Sequence, residues 1–394
     1  MEIYYLTLFV SAMLSTWWIF KSVHRIAVIK NITDNPDARK LQEYPVPCLG
    51  GVAVFFGIVV ALLVAGVEFE ASKTFTVVCA FTIMLYIGTM DDILSLSPML
   101  RFAVEILVAI LLIYGGCGCI DDFHGLWGIH QIPDWIAIPL TIFACVGTIN
   151  AINLMDGVNG LSSGYCITAC IAFGSVAIWS GDIKSASFAV ISIGALIPFF
   201  CHNVFGDKSR MFIGDGGTLL MGTIMANFIM SVLRSDSPLS FVASSDFGFI
   251  PFALAVLAIP IFDTLRVMTS RMMRGTSPFK PDKTHLHHMF FRLHFSHIFT
   301  TLTEIMMNIF IFLAWFASWR LGASVDVQLY IVIALAFLAT FGFYWYASSS
   351  SEKRQGRGWR ILTRIGDSTH VRHKRWFKRF TDFLDKGYYE NNKD

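Results

Sequence analysis

Mostly apolar runs, each parted from the next by a short polar connector, recur along the chain. Roughly 17–25 such residues are needed to carry a helix across a bilayer. Runs of that kind lie at 3–20, 49–67, 74–90, 102–118, 135–150, 161–180, 185–205, 218–233, 249–265, 298–319 and 329–347. They predict an all-α integral membrane protein, a polytopic bundle of about eleven transmembrane helices. The runs at 135–150 and 218–233 are short, so each either extends into its flanking loop or fails to cross. With no internal repeat and no low-complexity segment, the chain reads as one membrane domain, 1–350, followed by a polar tail, 351–394.

Lysine and arginine collect on the cytoplasmic side of membrane proteins, which tests the span list independently. With the N-terminus outside, the inner segments are 21–48, 91–101, 151–160, 206–217, 266–297 and the tail from 348, and they hold 26 of the 30 basic residues. Only Lys73, Lys184, Arg234 and Arg320 fall in outer loops. A wrong span count would scramble that asymmetry, so the expected orientation is N-terminus outside and C-terminus cytoplasmic. Met1-Glu2 offers no basic start, so the first run is expected to stay as a span and not to be cleaved as a signal peptide.

Composition agrees. The 394 residues are 55% hydrophobic and 15% charged. A soluble domain carries about 25% charged residues. A formal charge of +2 excludes a disordered chain and a generally basic nucleic-acid binder. The eight cysteines form no CxxC pair, which removes zinc-ribbon and dithiol redox chemistry. In the tail, Trp376, Phe377, Phe380, Phe383 and Leu384 recur at helical spacing among Lys374, Arg375, Lys378 and Arg379. That pattern predicts a basic amphipathic helix on anionic lipid; the plainer alternative is a frayed, solvated tail.

Unusual polar residues concentrate in four segments, all on the expected cytoplasmic face: Asp91-Asp92, NAINLMDGVNG (150–160), FIGDGGT (212–218) and SPFKPDKTHLHH (277–288). Ionisable groups at the mouth of a helix bundle are costly unless paired, hydrated or metal-bound, so they default to function. Asp215 stands among Gly214, Gly216 and Gly217, which let a backbone turn freely and approach a ligand closely. A carboxylate there suits Mg²⁺, which takes oxygen ligands and uses one or two carboxylates plus substrate phosphates. Adjacent Asp91 and Asp92 would point about 100° apart on a helix, so one can serve the site while the other points away. Asn150, Asn153 and Asp156, three apart, share a face if that segment is helical. His285, His287 and His288 follow Pro278 and Pro281, which stiffen their approach; imidazoles donate hydrogen bonds and, when protonated, neutralise phosphate. A zinc site would need a fourth ligand at a familiar spacing, and none is present.

As an ordered set these segments, together with DNPDARK (34–40), PVPCLGG (45–51) and DDILSLSPMLR (91–101), resemble the polyprenyl-phosphate N-acetylhexosamine-1-phosphate transferases of bacterial membranes. The SPFKPD…HLHH form is similar to the branch that makes undecaprenyl-diphospho-N-acetylglucosamine, and it differs from the loop of the peptidoglycan-precursor translocase. The resemblance implies a Mg²⁺-dependent enzyme, with Mn²⁺ as a substitute, in the bacterial inner membrane with its site on the cytoplasmic face. The implied reaction takes a UDP-HexNAc and undecaprenyl phosphate to polyprenyl-diphospho-HexNAc and UMP, the first membrane step of surface-polysaccharide synthesis; a homodimer is the family expectation. Position by position, Asp215 corresponds to the metal ligand and Phe212 to the aromatic packed on uracil. Asn203 and Asp156 fall at nucleotide-site positions, and Asn153 is a further substrate-binding candidate. Arg271, His285, His287 and His288 match groups holding the diphosphate or sugar phosphate, and Asp91 and Asp92 the pair serving the lipid phosphate.

Three departures bear on this. Asn159 stands where the family carries aspartate, and an amide cannot be a carboxylate nucleophile. Gln42 replaces a common histidine and Ser95 a common aspartate, which touches sugar selectivity more than the reaction. GlcNAc is the implied sugar, although GalNAc, QuiNAc or FucNAc would use the same motifs.

The second pKa of a phosphate monoester is about 6, so a lipid phosphate is already mostly dianionic at neutral pH. It needs orientation and charge relief more than a strong base, which favours direct displacement over a covalent aspartyl-phosphate. The rival function is a transporter of nucleotide sugars or lipid-linked sugars, which would show repeats, broken helices and midplane charges. An enzyme of the CDP-alcohol phosphatidyltransferase class is disfavoured because DGVNGLSSG lacks that class's Ala-Arg and later aspartates. An inactive scaffold of the same fold would fit loss of Asp215 or of the aspartate pair, and all three are present.

Overall fold

The structure is a computed structural model that describes residues 1–34, 44–66, 71–237, 246–277, 283–353 and 357–388. Its helices are α1 Glu2–Ile29, α2 Gly50–Ala65, α3 Ala71–Leu94, α4 Pro98–Leu112, α5 Asp134–Leu154, α6 Leu161–Ser180, α7 Ile183–Phe205, α8 Gly214–Leu233, α9 Phe249–Val256, α10 Ala258–Met273, α11 Leu286–Arg292, α12 His297–Arg320, α13 Val325–Phe337, α14 Phe343–Lys353, α15 Arg357–Ser368 and α16 Arg375–Leu384. The fold is helical as expected, with one small exception. A two-residue antiparallel ribbon pairs β1 (Thr33–Asp34) with β2 (Val46–Pro47) and ties the connector before α2 to the end of α1.

Among the described residues nine helices are long and apolar enough to cross a bilayer, or ten if α9 and α10 form one span. The chain is a multi-pass membrane protein, and the count stands below the eleven expected because α2 is only 16 residues long. Such a helix rises about 24 Å against a hydrocarbon core of about 30 Å. It ends at Gly66, whose φ of +64° leaves helical space. The two short runs lengthen, by drawing polar motif residues into helix. Thus α5 extends to Leu154 and carries Asn150 and Asn153, while α8 starts at Gly214 and carries Asp215 in its first turn.

The run expected as one helix over 249–265 is two, bent by 76° between α9 and α10. Pro260 lacks an N–H and its ring displaces the carbonyl four residues back, which belongs to Val256. Side chains from two other helices take up the freed groups. Tyr165 Oη and Asn308 Nδ2 donate to the Val256 carbonyl at 2.7 and 2.9 Å, and Ile259 N donates to Asn308 Oδ1 at 3.1 Å. Buried backbone polar groups need such partners, so Asn308 and Tyr165 are what make the bend tolerable in an apolar setting.

At the centre lies α8, nearly all of it buried, with α2, α3, α5 and α6 packed around it. Small residues admit these neighbours: a Cβ on Gly222 would sit 2.6 Å from the Ile149 Cα of α5. The tail forms helices that fold back on the bundle. Of its apolar stripe, Phe377 and Leu384 are buried, while Trp376 and Phe383 remain exposed.

Candidate active site

The site is assembled where the N-terminus of α8 meets the C-terminal ends of α3 and α5. The β2–α2 connector pins the approach to α8 from one side. Phe212 N donates to the Pro47 carbonyl at 2.7 Å, and Gly50 N and Gly51 N return bonds to the carbonyls of Phe212 and Ile213 at 2.9 and 2.8 Å. Gly214 then turns at φ +73°, where a Cβ would lie 2.3 Å from the Cys48 carbonyl and 2.6 Å from Asp92 Oδ2. The other two glycines admit neighbouring helices, and a Cβ on Gly216 would lie 2.5 Å from Thr89 Oγ1 of α3. A Cβ on Gly217 would lie 2.8 Å from the Gly51 Cα, and one on Gly88 would lie 2.4 Å from Gly216 N. They let α2 and α3 press against the start of α8.

From α3, Asp92 accepts hydrogen bonds from the backbone N–H groups of Asp215 and Gly216 at 3.0 and 3.4 Å. A helix N-terminus leaves orphan donors and a partial positive charge, and Asp92 satisfies both from a neighbouring helix. Asp91 turns elsewhere: Leu96 N donates to its Oδ1 at 2.7 Å and Arg101 Nη1 to its Oδ2 at 3.0 Å. The pair therefore diverges as the helical geometry of adjacent residues requires.

Asp215 is held from α5, where Asn153 Nδ2 donates to its Oδ1 at 2.8 Å and to Thr218 Oγ1 at 2.7 Å. Its Oδ2 faces Arg101 Nη1 at 4.0 Å, and the Asp215 side chain is 37% exposed. Asp91 faces the same guanidinium nitrogen, its Oδ2 at 3.0 Å from Arg101 Nη1. Arg101 and Glu105, which the sequence reading left without a role, complete this cluster. Arg101 Nε lies 3.7 Å from Oε1 of the buried Glu105, whose Oε2 accepts from Asn150. Asn150 and Asn153 thus serve different partners, and Asp156 falls beyond the end of α5, so the shared face expected of the three does not form.

Asp156 instead accepts from Ser162 Oγ at 2.5 Å. Burial pushes its carboxyl up to about 7, against the opposing bond from Ser162, and the charge of Asp215 adds to the rise. Next to it, a Cβ on Gly157 would meet His287 Nε2 at 2.4 Å, so the histidine segment closes over the 156–160 turn. His287 is buried, and burial followed by the charges of His288 and His285 holds it well below the ordinary imidazole value, neutral at pH 7. His285 stacks beside His287, with ring centroids 5.8 Å apart, and is bonded to α10. Its Nδ1 bonds Asp263 Oδ2 at 2.8 Å, and Asp263 also binds Arg266 Nη2 at 2.7 Å and accepts from Leu286 N. Asp263 and Arg266 were not foreseen, although an acid and a base three apart in an apolar run carry the signal. His288 is half-buried beside His287, with ring centroids 4.4 Å apart. Arg271 is buried near the end of α10, its carbonyl accepting from Thr276.

Asn203, expected at the nucleotide site, and Asn159, the departure from the family aspartate, are joints of the framework. Asn203 is buried, accepts from Gly160 N at 2.6 Å and donates to the Met211 carbonyl at 2.9 Å, joining the 156–160 turn to the loop before α8. Asn159 is buried too; its N–H reaches His297 Nδ1 at 3.4 Å and its carbonyl accepts from Thr301 Oγ1 at 2.9 Å. Phe212 is half-buried in the loop three residues before Asp215. Ser95 takes the left-handed conformation, φ +53°, just past the end of α3. DNPDARK after Asp34, Gln42, Pro278 and Pro281 lie outside the described residues.

Among the described residues no three His, Cys, Asp or Glu side chains form a ready-made metal cage. A Mg²⁺ ion that relies on phosphate oxygens and water needs only one or two carboxylates, and the partly exposed Asp215 beside Asp91 meets that requirement. The donors there are oxygens without thiolate, which fits a hard cation.

An apolar cavity of about 780 Å³ runs between α6 and α12, lined by Tyr165, Ala172, Trp179, Ile305, Phe312 and Trp319 among others. Its α6 wall spans Tyr165 to Trp179, about 21 Å of helix at 1.5 Å per residue, and α6 begins directly after the 156–160 turn.

Comparison with known proteins follows the same lines. The profile of glycosyl transferase family 4 matches residues 74–233. The chain is 30% identical over 306 residues to the probable undecaprenyl-phosphate N-acetylglucosaminyl 1-phosphate transferase of Bacillus subtilis (strain 168), covering 77% of this chain and 82% of that one. It is 28% identical over 302 residues to the undecaprenyl-phosphate alpha-N-acetylglucosaminyl 1-phosphate transferase of Yersinia pestis, covering 75% and 77%. Its identity to the protein of that same name from Escherichia coli (strain K12) is 26% over 346 residues, covering 86% and 89%.

Proposed function

The chain belongs to glycosyl transferase family 4, and on that premise we propose that it transfers N-acetylglucosamine-1-phosphate from UDP-GlcNAc to undecaprenyl phosphate. A lipid phosphate oxygen attacks the sugar-bearing phosphorus of UDP-GlcNAc, the bond from that phosphorus to the bridging oxygen breaks, and UMP leaves. Undecaprenyl-diphospho-GlcNAc remains in the membrane. The observation that carries this reading is the Asp215 carboxylate, held in the first turn of α8 by Asn153 and set beside the Asp91–Arg101 pair.

Each group has a task it is built for. Arg101 offers positive charge to the incoming phosphate while holding Asp91 in place. Asp92 fixes the helix start on which Asp215 rides. His287, neutral and facing the 156–160 turn, donates or accepts a hydrogen bond without adding charge. His288 and Arg271 offer the cationic or donor groups that a diphosphate needs. Asp215 would hold Mg²⁺, or Mn²⁺ in its place, and the ion would supply charge relief to the diphosphate. Because the acceptor is already largely a dianion, Asp91 acts as a positioner more than as a base. Asn159, buried and bonded through its backbone, is a structural position here, consistent with direct displacement. The long apolar run along α6 suits the prenyl chain, with its phosphate end toward Asp156–Gly160.

The gathering of basic residues in the inner segments supports a site on the cytoplasmic face of the bacterial inner membrane. The transporter alternative draws no support from the site, since its ionisable groups gather at one end of the bundle. Purified protein given undecaprenyl phosphate, Mg²⁺ and a panel of UDP-HexNAc donors tests the reading. UMP release with a lipid-diphospho-GlcNAc product is expected. Turnover with a different sugar alone would correct the donor, and no turnover with any of them would reject the reaction.

A further inference from the structure

The described part of the tail contacts two places on the rim of the site, and both contacts are built from hydrogen bonds. At the first, the Asp385 carboxylate, just past α16, accepts from the backbone N–H groups of Asp207, Lys208 and Ser209 at 3.3, 3.0 and 3.0 Å and from Ser209 Oγ at 2.6 Å. Thr381 Oγ1 adds a bond to the Phe205 carbonyl at 2.8 Å, and Phe377 and Phe380 pack on the Phe205 ring at 5.6 and 5.1 Å. This grips the loop between α7 and α8, the segment that runs on through Met211 and Phe212 to Asp215. At the second, Ser296 exchanges two bonds with Thr369, its N–H donating to Thr369 Oγ1 and its Oγ to the Thr369 carbonyl, each at 2.9 Å. His294 Nδ1 meets Asp367 at 3.0 Å, and a Cβ on Gly366 would lie 1.9 Å from the Leu293 carbonyl. This grips the turn that follows α11, the helix of His287 and His288.

We infer that residues 366–388 form a strap that sets the spacing between the Phe212–Asp215 side of the site and the His287–His288 side, with Asp385 as its positioning residue. The inference rests on the function proposed above, because it names what those two sides hold. A carboxylate that accepts three backbone N–H groups and a hydroxyl imposes one shape on a loop that a sequence of Gly, Asp, Lys and Ser would not fix by itself. Burial opposes the charge of Asp385, but the bonds from Ser209, Lys208 and Asp207 outweigh it and hold its carboxyl below the ordinary range. The strap also carries Arg372 to where its charge acts on Arg210, on the gripped loop, and on His297, the partner of Asn159. Asp385 touches none of the site residues named above, so its effect must pass through the loop.

The test uses the full chain in lipid nanodiscs, with Asp385→Ala, Asp385→Asn and, in case these fold poorly, Ser209→Ala, which removes the 2.6 Å Oγ bond to Asp385 together with the 3.0 Å contact of Oγ with His202 Nδ1. Asp385→Ala is expected to raise the KM for UDP-GlcNAc about tenfold, the equivalent of one charged hydrogen bond. The rate at saturation should stay within about threefold, and amide exchange across 207–213 should quicken. Asp385→Asn keeps an acceptor oxygen and should fall between the two, and Ser209→Ala should shift the KM in the same direction by less. Faster exchange with an unchanged KM overturns the inference, as does unchanged exchange. If the wild-type chain neither turns over UDP-GlcNAc nor binds UMP, the proposed function fails instead, and the exchange data alone then report whether the strap holds the loop.

Discussion

The Asp92 carboxylate accepts a hydrogen bond from the backbone N–H of Asp215 at 3.0 Å, across 123 residues of sequence. This divides the labour of the acidic pair: Asp92 secures the helix, and Asp91 faces Arg101. Asp92→Ala should cost about 1–2 kcal/mol of stability through loss of a cap, with activity falling alongside it. Asp91→Asn should leave the melting temperature in place while turnover falls on the order of a hundredfold. Thermal unfolding in detergent beside initial rates of UMP release separates the two. Equal melting losses in both variants would remove the division of roles.

Asp156 supplies a pH dependence. Its carboxyl, pushed up to about 7 by burial, changes charge within the working range. The rate at subsaturating donor should therefore bend near pH 7, and Asp156→Asn should flatten that bend. For stability the sign is that of a raised acid. The contribution is full below its ordinary 3.8 and is lost as pH rises through about 7. A wild-type bend that survives in Asp156→Asn would assign it to another group.

The cavity between α6 and α12 predicts a kinetic split. Ala172→Trp fills part of its wall, and the KM for undecaprenyl phosphate should rise several-fold with the KM for UDP-GlcNAc unchanged. A short-chain prenyl phosphate should feel the substitution less. Equal effects on both substrates would place the prenyl chain elsewhere.

Close approach of helices at the site predicts that its glycines matter for packing. Gly217→Ala puts a methyl group 2.8 Å from the Gly51 Cα, an overpacking that costs about 1–3 kcal/mol. Lowered thermal stability with UMP affinity reduced in proportion is expected. An unchanged melting temperature would mean that α2 gives way freely.

The helical bundle was legible because apolar runs dictate spans regardless of tertiary detail, and the place of the chemistry because ionisable residues in such a chain are few. What could not be read was which partner each residue takes. Asn150 and Asn153 look equivalent in sequence, yet one meets Glu105 and the other Asp215, since those partners arrive from α4 and α8. Gly216 and Gly217 read in sequence as room for a ligand, and that they also admit α2 and α3 is set by packing alone. The bend at Pro260 needed Asn308 and Tyr165, residues distant in sequence, to be stable. The tail's amphipathic spacing was plain, while its grip on residues 207–209 depends on Asp385, a residue that no periodicity marks.

Under the proposed function the Asp215 carboxylate would be the metal-holding group of a GlcNAc-1-phosphate transferase. The most direct test compares wild-type protein and Asp215→Asn for Mg²⁺-dependent conversion of UDP-GlcNAc and undecaprenyl phosphate into UMP and lipid-diphospho-GlcNAc, with thermal unfolding as the check on folding. Conversion by the wild type is expected, with a loss on the order of a hundredfold or more in a variant that unfolds at the wild-type temperature. Full Mg²⁺-dependent turnover by Asp215→Asn would contradict that role.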